Sequence, residues 1–148
     1  MSINASLAAR VKYGLALQRR DPLAYWHHAS EQTRRVTELL RELPEALVLG
    51  GNKSGKTAYG SAVGVALCQR RTELDGVTLP EMPKRVVAAV LSLDHQQQAL
   101  SVQPAYLAAI GDWPHIVGYK SRSQDIVGTI RIKQVGGSDD PRTWSVIH

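Results

Sequence analysis

The sequence lacks several features that mark secreted or membrane proteins. Cys68 is the single cysteine among 148 residues, so there is no internal disulfide and no cysteine partner for a structural zinc site. No stretch approaches the roughly 18 consecutive apolar residues that a membrane helix needs. Basic residues interrupt the apolar positions near the N-terminus, and no signal-peptide cleavage site follows them. These absences predict a soluble protein in a reducing compartment such as the cytoplasm.

Charge of one sign is in modest excess. The chain has 18 Lys and Arg against 13 Asp and Glu, a net charge of +5. An anionic partner is compatible with this balance. The positive residues are dispersed, however, and form no run of five, so an ordinary basic surface accounts for the charge equally well.

Two helices are predicted before residue 44. Leu7, Val11 and Leu15 recur on one helical face, and Asp21 followed by Pro22 is a favourable start for a further helix. This second helix shows the i, i+3, i+4, i+7 apolar spacing at Val36, Leu39, Leu40 and Leu43, and it is expected to end at Pro44. We interpret residues 1–43 as an N-terminal helical segment.

A strand, a helix and a second strand are predicted next. Residues 46–49 form a short apolar run that suits a strand buried on both faces, and residues 85–93 form another. Between them, residues 57–71 read as a helix, and residues 72–84 as a loop. Gly60 and Gly64 lie four apart, which offers a flat face for close packing on a sheet. The order predicts a right-handed parallel unit.

The second half of the chain predicts a helix and a hairpin. Residues 94–110 read as a helix with a break at Pro104 and an end near Gly111. Alternating residues at 130–133 and the segment 143–148 then indicate paired strands. Together these elements predict an α/β fold, a three-layer arrangement with a mainly parallel sheet over residues 44–148. Because the chain stops at His148 inside a predicted strand, we expect that sheet to be incomplete.

A phosphate-binding pattern, G-x-x-x-x-G-K-[ST], lies between the first predicted strand and its helix. Glycines let successive main-chain N–H groups and the helix N-terminus surround a phosphate. Lys56 would bridge the β- and γ-phosphates, and the Thr57 hydroxyl would bind Mg²⁺. The pattern therefore predicts a nucleoside triphosphate site with Mg²⁺, formed by Gly50, Gly51, Asn52, Lys53, Ser54, Gly55, Lys56 and Thr57.

Lys53 has two interpretations. An additional cation in the loop could approach the γ-phosphate and stabilise the charge that develops during phosphoryl transfer, as an arginine finger does. Alternatively, Lys53 faces solvent, because the pattern leaves this position free. The pattern alone favours the solvent-facing interpretation.

Hydrolysis also needs an apolar strand that ends in Asp, usually followed by a Glu that orients water. Asp94 ends an apolar segment, but His95 follows it, and Asp94 is more simply a helix N-cap. Asp139 and Asp140 follow "VGGS" and are interpreted as turn residues. No suitable water-activating Glu is present.

Three side chains upstream of the loop are candidates for contact with a base. Trp26, His28 and Gln32 would offer an aromatic plane and a carboxamide to adenine, although Trp26 equally suits a core position. A metal site at His27 and His28 is not expected, because neighbouring residues of a helix point in different directions.

These motifs resemble the N-terminal part of the ATPase domain of tailed-phage terminase large subunits, the motors that package DNA. The resemblance is most specific at "LVLGGNKSGKT". It extends to "YWHHASEQ" and to "VLSLDHQQQALSVQPAYLAAI", which resembles the second strand and helix of the family and argues against Asp94 as the main acidic residue.

The resemblance implies a RecA-like P-loop NTPase fold, with ATP and Mg²⁺ as cofactors. Gln32 would contact adenine, and Lys53 would act as a catalytic cation beside Lys56, although Lys53 lacks the planar fork of the arginine found in many members. The full-length protein would hydrolyse ATP to translocate double-stranded DNA in the host cytoplasm. Its expected partners are the portal, the small terminase subunit and further copies in a ring, and no membrane.

The acidic strand and a nuclease domain come later in the family than the region present here, which implies a fragment or a truncation. Two alternatives remain open. The chain could belong to another nucleic-acid-acting P-loop ATPase, such as a helicase relative. It could also be a shortened, non-hydrolysing module for nucleotide binding or assembly.

Overall fold

A computed structural model describes residues 3–43, 55–91, 95–120 and 123–148. Within these ranges helices pack against a small mixed sheet, so the predicted α/β class is confirmed. The strand predicted at residues 46–49 lies outside them. The elements in chain order are α1 (Ile3–Arg20), α2 (Glu31–Leu39), α3 (Lys56–Cys68), β1 (Glu73–Leu74), β2 (Val77–Thr78), β3 (Val87–Ala88), α4 (His95–Gln97), α5 (Gln103–Ile110), β4 (His115–Lys120), β5 (Ser123–Ile132) and β6 (Ser145–Ile147).

The main sheet has the strand order β3-β6-β5-β4. Strand β3 runs parallel to β6, with Val87 opposite Val146, whereas β6 and β4 both run antiparallel to β5. The predicted pairing of the two C-terminal segments is confirmed, with Ile130 opposite Ile147. Strand β4 was not predicted. The described strands of this sheet therefore form one parallel and two antiparallel pairs, so for these strands the prediction of a mainly parallel sheet is wrong.

Strand β3 corrects the prediction of a buried strand over residues 85–93. Of residues 85–91, which the structure describes, Val87–Ala88 is strand, and Val86 is buried while Val87 is 64% exposed. Backbone hydrogen bonds continue the pairing of β3 with β6 on both sides. Val146 N–H donates to Val86 O, and Val90 N–H donates to His148 O. Among the described residues this segment is therefore covered on one face only, where α3 packs.

Helix α3 is the central element of the core. Its buried residues pack against α5 and against β1, β3 and β6. Gly60 has open space where a Cβ would be, and Gly64 faces the side chain of Tyr106 on α5. The predicted flat glycine face against a sheet is therefore wrong for the described residues. Gly64 instead leaves room for the side chain of Tyr106 on α5, and Gly60 is exposed. The helix carries the buried residues Tyr59, Ser61, Ala62, Val63, Val65, Ala66 and Cys68.

The segment predicted as a loop after α3 contains a tight hairpin. Asp75 and Gly76 both have positive φ, 49° and 71°. This is the backbone that a two-residue hairpin turn requires, and Asp-Gly is a preferred pair for it. The turn joins β1 and β2, with Leu74 opposite Val77, and buries both side chains.

Both N-terminal helices are present, but the start predicted at Asp21 and Pro22 is wrong for the second. Those residues begin the short 3-10 turn Pro22–Tyr25, where Asp21 makes no side-chain cap, and α2 begins at Glu31. The predicted apolar face of α1 is exposed in the described structure, at Leu7, Val11 and Leu15. Helix α2 begins with a capping box between Ser30 and Thr33 and ends at Leu39, before Pro44. The half-exposed Leu43 gives a further turn little apolar contact.

The helix predicted over residues 94–110 has its irregularity before Pro104. Helix α4 passes into a π-helical turn, Gln98–Val102, and then into α5. Pro104 lies in the first turn of α5, a position at which proline is tolerated. Gly111, with φ +57°, ends the helix as predicted. Among the described helices, none has the length and apolar character that a bilayer span requires.

Candidate functional site

The phosphate-binding pattern is described from Gly55 onward; Gly50, Gly51, Asn52, Lys53 and Ser54 lie outside the described residues, as does Asp94. Gly55 has φ +79° and ψ 8°, a left-handed conformation that favours glycine. Its carbonyl oxygen accepts the first helical hydrogen bond of α3, from the N–H of Tyr59 at 2.9 Å. Helix α3 thus begins at Lys56, one residue before the predicted start at Thr57, and it ends at Cys68, three residues before the predicted end at Arg71.

Lys56 and Thr57 are the first two residues of α3. Lys56 is partly buried, whereas Thr57 is exposed. The first N–H groups of a helix have no partner within it, and the helix dipole makes this end electropositive. The first turn of α3 therefore combines main-chain donors, a lysine and a hydroxyl group, a set suited to an anion.

A hydroxyl oxygen is also a suitable ligand for Mg²⁺, which prefers oxygen and retains several waters. Among the residues that the structure describes, no group of three or more His, Cys, Asp or Glu side chains could hold a metal ion. Among the described residues of the phosphate-binding pattern, Thr57 is the one whose side chain offers such an oxygen.

Gln32 lies in the first turn of α2 and is exposed. It makes no hydrogen bond to another described residue, and no described contact joins it to Lys56 or Thr57. At about 100° per residue, Gln32 stands about 140° around α2 from the buried Thr37. Its predicted contact with adenine therefore stays a prediction.

His27 and His28 bind the same carboxylate. The helical geometry assumed for them is wrong, because residues 26–28 are not helical. His27 Nδ1 donates to Asp75 Oδ1 at 2.8 Å, and His28 Nδ1 donates to Asp75 Oδ2 at 2.9 Å. The backbone N–H of His28 donates to the same Oδ2 at 2.9 Å. The two rings thus share an acidic partner that lies in the β1–β2 turn.

A chain of hydrogen bonds continues from His28 towards α3. His28 Nε2 lies 2.9 Å from Thr37 Oγ1, and Thr37 Oγ1 lies 3.1 Å from the hydroxyl of Tyr59. Thr37 and Tyr59 are buried, and the side chain of His28 is only 3% exposed. We call this the His28 chain: Asp75, His28, Thr37 and Tyr59.

Trp26 supports the His28 chain from one side. Its ring meets the His28 ring edge-on, with centroids 4.7 Å apart and planes at 70°. Trp26 is also partly buried against the hydrophobic core. The structure therefore supports the core interpretation of Trp26.

The hydrogen bonds to Asp75 hold the pKa of its carboxyl well below the usual range. The largest contribution is the backbone N–H of His28, followed by the side chains of His27 and His28. Each donor stabilises the ionised form. Asp75 therefore remains a carboxylate at the acidic end of this network.

Asp139 and Asp140 lie in the connection between β5 and β6, as predicted for turn residues. Asp139 pairs with Lys133, and Asp140 caps the short 3-10 turn Pro141–Thr143 while pairing with Arg142. These ion pairs lower the pKa of both carboxyls. Both side chains therefore have structural partners within the turn.

Sequence reasoning missed Thr37, Tyr59 and Asp75. Thr37 interrupts the apolar side of α2 between Val36 and Leu40, which is a signal of a buried polar contact. The Asp-Gly pair was a signal for the turn. That both features meet at His28 was not encoded in any local pattern.

Comparisons with known proteins add no assignment. No protein-family model, no curated protein and no solved structure matches the chain.

Proposed function

We propose that the chain is the ATP-binding part of a viral DNA-packaging terminase large subunit, a P-loop ATPase that hydrolyses ATP to move DNA into a prohead. One observation carries the proposal. Helix α3 begins at Lys56, directly after the left-handed Gly55, inside a complete G-x-x-x-x-G-K-T pattern. A Lys and a Thr at the start of a helix that follows such a turn suit a triphosphate with its metal.

Each residue of the loop has a defined role. Lys56 holds the β- and γ-phosphates, and main-chain N–H groups of the loop and of the first turn of α3 surround them. The Thr57 hydroxyl holds the metal, and bound Mg²⁺ neutralises charge on the phosphate oxygens. Lys53 is the candidate for a second cation near the γ-phosphate, and Gln32 is the candidate for adenine contact.

The particular family rests on the resemblance of "GGNKSGKT", with its basic residue at Lys53, and of the upstream aromatic and Gln segment. In a terminase, a RecA-like three-layer ATPase domain of the full-length protein would act on double-stranded DNA. It would assemble as a ring with the portal and the small subunit. Reading the coding sequence on both sides of these 148 residues tests this choice: downstream helicase motifs in place of a nuclease would contradict it.

The nucleotide site is tested by titrating the chain with ATP and Mg²⁺ in a calorimeter. We expect Lys56→Ala to weaken binding at least tenfold, since a charge-assisted contact to phosphate is lost. Lys12→Ala is the matched control, because it removes a lysine from the exposed surface of α1. Equal affinity for the unmutated chain and Lys56→Ala would contradict the assignment of the loop.

A further inference from the structure

We propose that His28 is a positioning residue of the triphosphate site, acting through Thr37 and Tyr59 on the first turn of α3. This inference rests on the function proposed above. Neither the phosphate pattern nor the upstream Gln segment assigns a role to Thr37, Tyr59 or Asp75. Their contacts with His28 supply the argument.

Tyr59 determines how the first turn of α3 is held. Its N–H makes the first helical hydrogen bond, to Gly55, and its side chain is 7% exposed. Tyr59 lies three residues after Lys56, so the two side chains stand on neighbouring sides of the helix. Fixing the Tyr59 hydroxyl therefore fixes the rotation of the turn that presents Lys56 and Thr57.

Thr37 fixes that hydroxyl. Thr37 Oγ1 lies 2.9 Å from His28 Nε2 and 3.0 Å from the carbonyl oxygen of Thr33. With its Nδ1–H donated to Asp75, a neutral His28 ring offers Nε2 as an acceptor, so Thr37 donates its one proton to Nε2 and accepts from the Tyr59 hydroxyl at 3.1 Å. Thr37 is fully buried, so no water replaces a partner that is removed.

His28 is itself held at both ring nitrogens and at its backbone. Asp75 accepts its Nδ1–H and its main-chain N–H, and the carbonyl oxygen of Asp75 accepts from Arg34 Nη1 at 3.2 Å. The segment before α2 and helix α2 itself therefore both bind one residue of the β1–β2 turn. Strands β1 and β2 pair on the two sides of this turn and hold it in place. The turn therefore gives the His28 chain a fixed point of attachment.

His27 provides the contrast. It bonds the other oxygen of Asp75, but its side chain is 79% exposed and makes no described contact with Thr37. A change at His27 therefore alters the charge environment of Asp75 without cutting the path to Tyr59. A loss of affinity seen only on changing His28, Thr37 or Tyr59 would therefore be transmitted by their hydrogen bonds. It would not arise from the carboxylate that His27 also contacts.

The experiment measures affinity for ATP with Mg²⁺ and for inorganic tripolyphosphate with Mg²⁺, on the full 148-residue chain. Tyr59→Phe and Thr37→Val each remove a hydroxyl at nearly constant volume, and Thr37→Ser restores it. We expect Tyr59→Phe and Thr37→Val to lower the affinity for both ligands about tenfold, which corresponds to the loss of one buried hydrogen bond. Thr37→Ser and His27→Ala should bind within about twofold of the unmutated chain.

Thermal unfolding of each variant separates positioning from stability. Affinity is measured well below the midpoint, where every variant is folded. If Tyr59→Phe and Thr37→Val lower the midpoint but bind both ligands normally, the His28 chain is merely structural and the inference is overturned. If Lys56→Ala binds tripolyphosphate as well as the unmutated chain, or the unmutated chain does not bind it, the proposed function fails and this inference fails with it.

Discussion

Gly64 on helix α3 lies directly against the hydroxyl group of Tyr106 on helix α5, and a Cβ atom added to Gly64 would stand 3.0 Å from that oxygen. This distance is tighter than an ordinary van der Waals contact. The two helices therefore meet at a glycine because a tyrosine occupies the space. Burial raises the pKa of the Tyr106 hydroxyl, which is consistent with an enclosed position.

The pair Gly60 and Gly64 gives a matched prediction on this helix. Gly60→Ala should raise the free energy of unfolding by about 0.5–1 kcal/mol, since alanine favours the helix and open space surrounds the new methyl group. Gly64→Ala should gain less or lose stability, because Tyr106 must move. Urea unfolding measures both. Equal gains at the two positions would show that Tyr106 does not constrain Gly64.

Gly111 is required by a close approach between two segments. Its φ is +57°, and a Cβ there would stand 2.5 Å from Pro22 Cγ and would also collide with the carbonyl oxygen of Arg19. The N–H of Asp112 donates to that same oxygen at 2.8 Å, which holds the segments together. Gly111 therefore has no room for a side chain.

Replacing Gly111 by alanine should lower the free energy of unfolding by about 3 kcal/mol, because strain and overlap add. Gly136→Ala is the control, since Gly136 has φ +65° with open space around it and should lose only about 1 kcal/mol for its backbone. Denaturant titration compares the two. A loss at Gly111 no greater than that at Gly136 would rule out the close approach as the cause.

Gln134 joins three segments beside the sheet. Its side-chain nitrogen lies 3.1 Å from each of Lys84 O, Thr143 O and Ser145 Oγ, which share its two N–H protons, and the residue is almost fully buried. Gln134→Leu should lower the free energy of unfolding by about 2 kcal/mol, because these buried acceptors lose their donor. Thermal and urea unfolding check this. The exposed neighbour Val135 is the control, and Val135→Ala should change stability by less than about 0.5 kcal/mol.

Asp75 should make the stability of the chain depend on pH in the acid range. The donors around it lower the pKa of its carboxyl in the folded state. Its contribution is therefore fully present above the pKa of the unfolded carboxyl, about 3.9, and is lost as the pH falls through the lower folded value. Asp75→Asn removes the charge but suits the positive φ of this position.

We expect Asp75→Asn to be less stable than the unmutated chain at pH 6, and the difference to narrow from about pH 4 downward. Unfolding followed by circular dichroism between pH 6 and 2 measures this. Asp139→Asn is the control. The Asp139 carboxylate is exposed, so its ion pair with Lys133 contributes little to the stability of the fold. A constant difference across the range would contradict the role of the Asp75 charge.

Local patterns predicted a useful part of the fold. The start of α3, at Lys56, lies one residue from the predicted Thr57, and the pairing of β5 with β6 followed from alternation near Ile130. The end of α5 at Gly111 followed from a glycine after an apolar helix. Each of these features depends on neighbours within a few residues, so periodicity and capping rules could find it.

The features that failed depend on distant partners. The apolar spacing that includes Val11 correctly predicted helix α1. That spacing does not indicate whether another element covers the apolar face of the helix. The exposure of Val87 depends on how many faces of β3 are covered, and the neighbour of Gly64 depends on where α5 packs. None of these is a property of the local sequence.

The sequence by itself determined the phosphate-binding pattern, the helical periods and the alternation of the C-terminal strands, because these arise from backbone geometry within a few residues. Only the tertiary structure decided that Asp75 meets His28 across 47 positions and that Thr37 links them to Tyr59 across 22 more. Buried polar groups require hydrogen-bond partners, but the sequence is compatible with many different sets of partners. The folding of α2, α3 and the hairpin around one another selects the arrangement that exists.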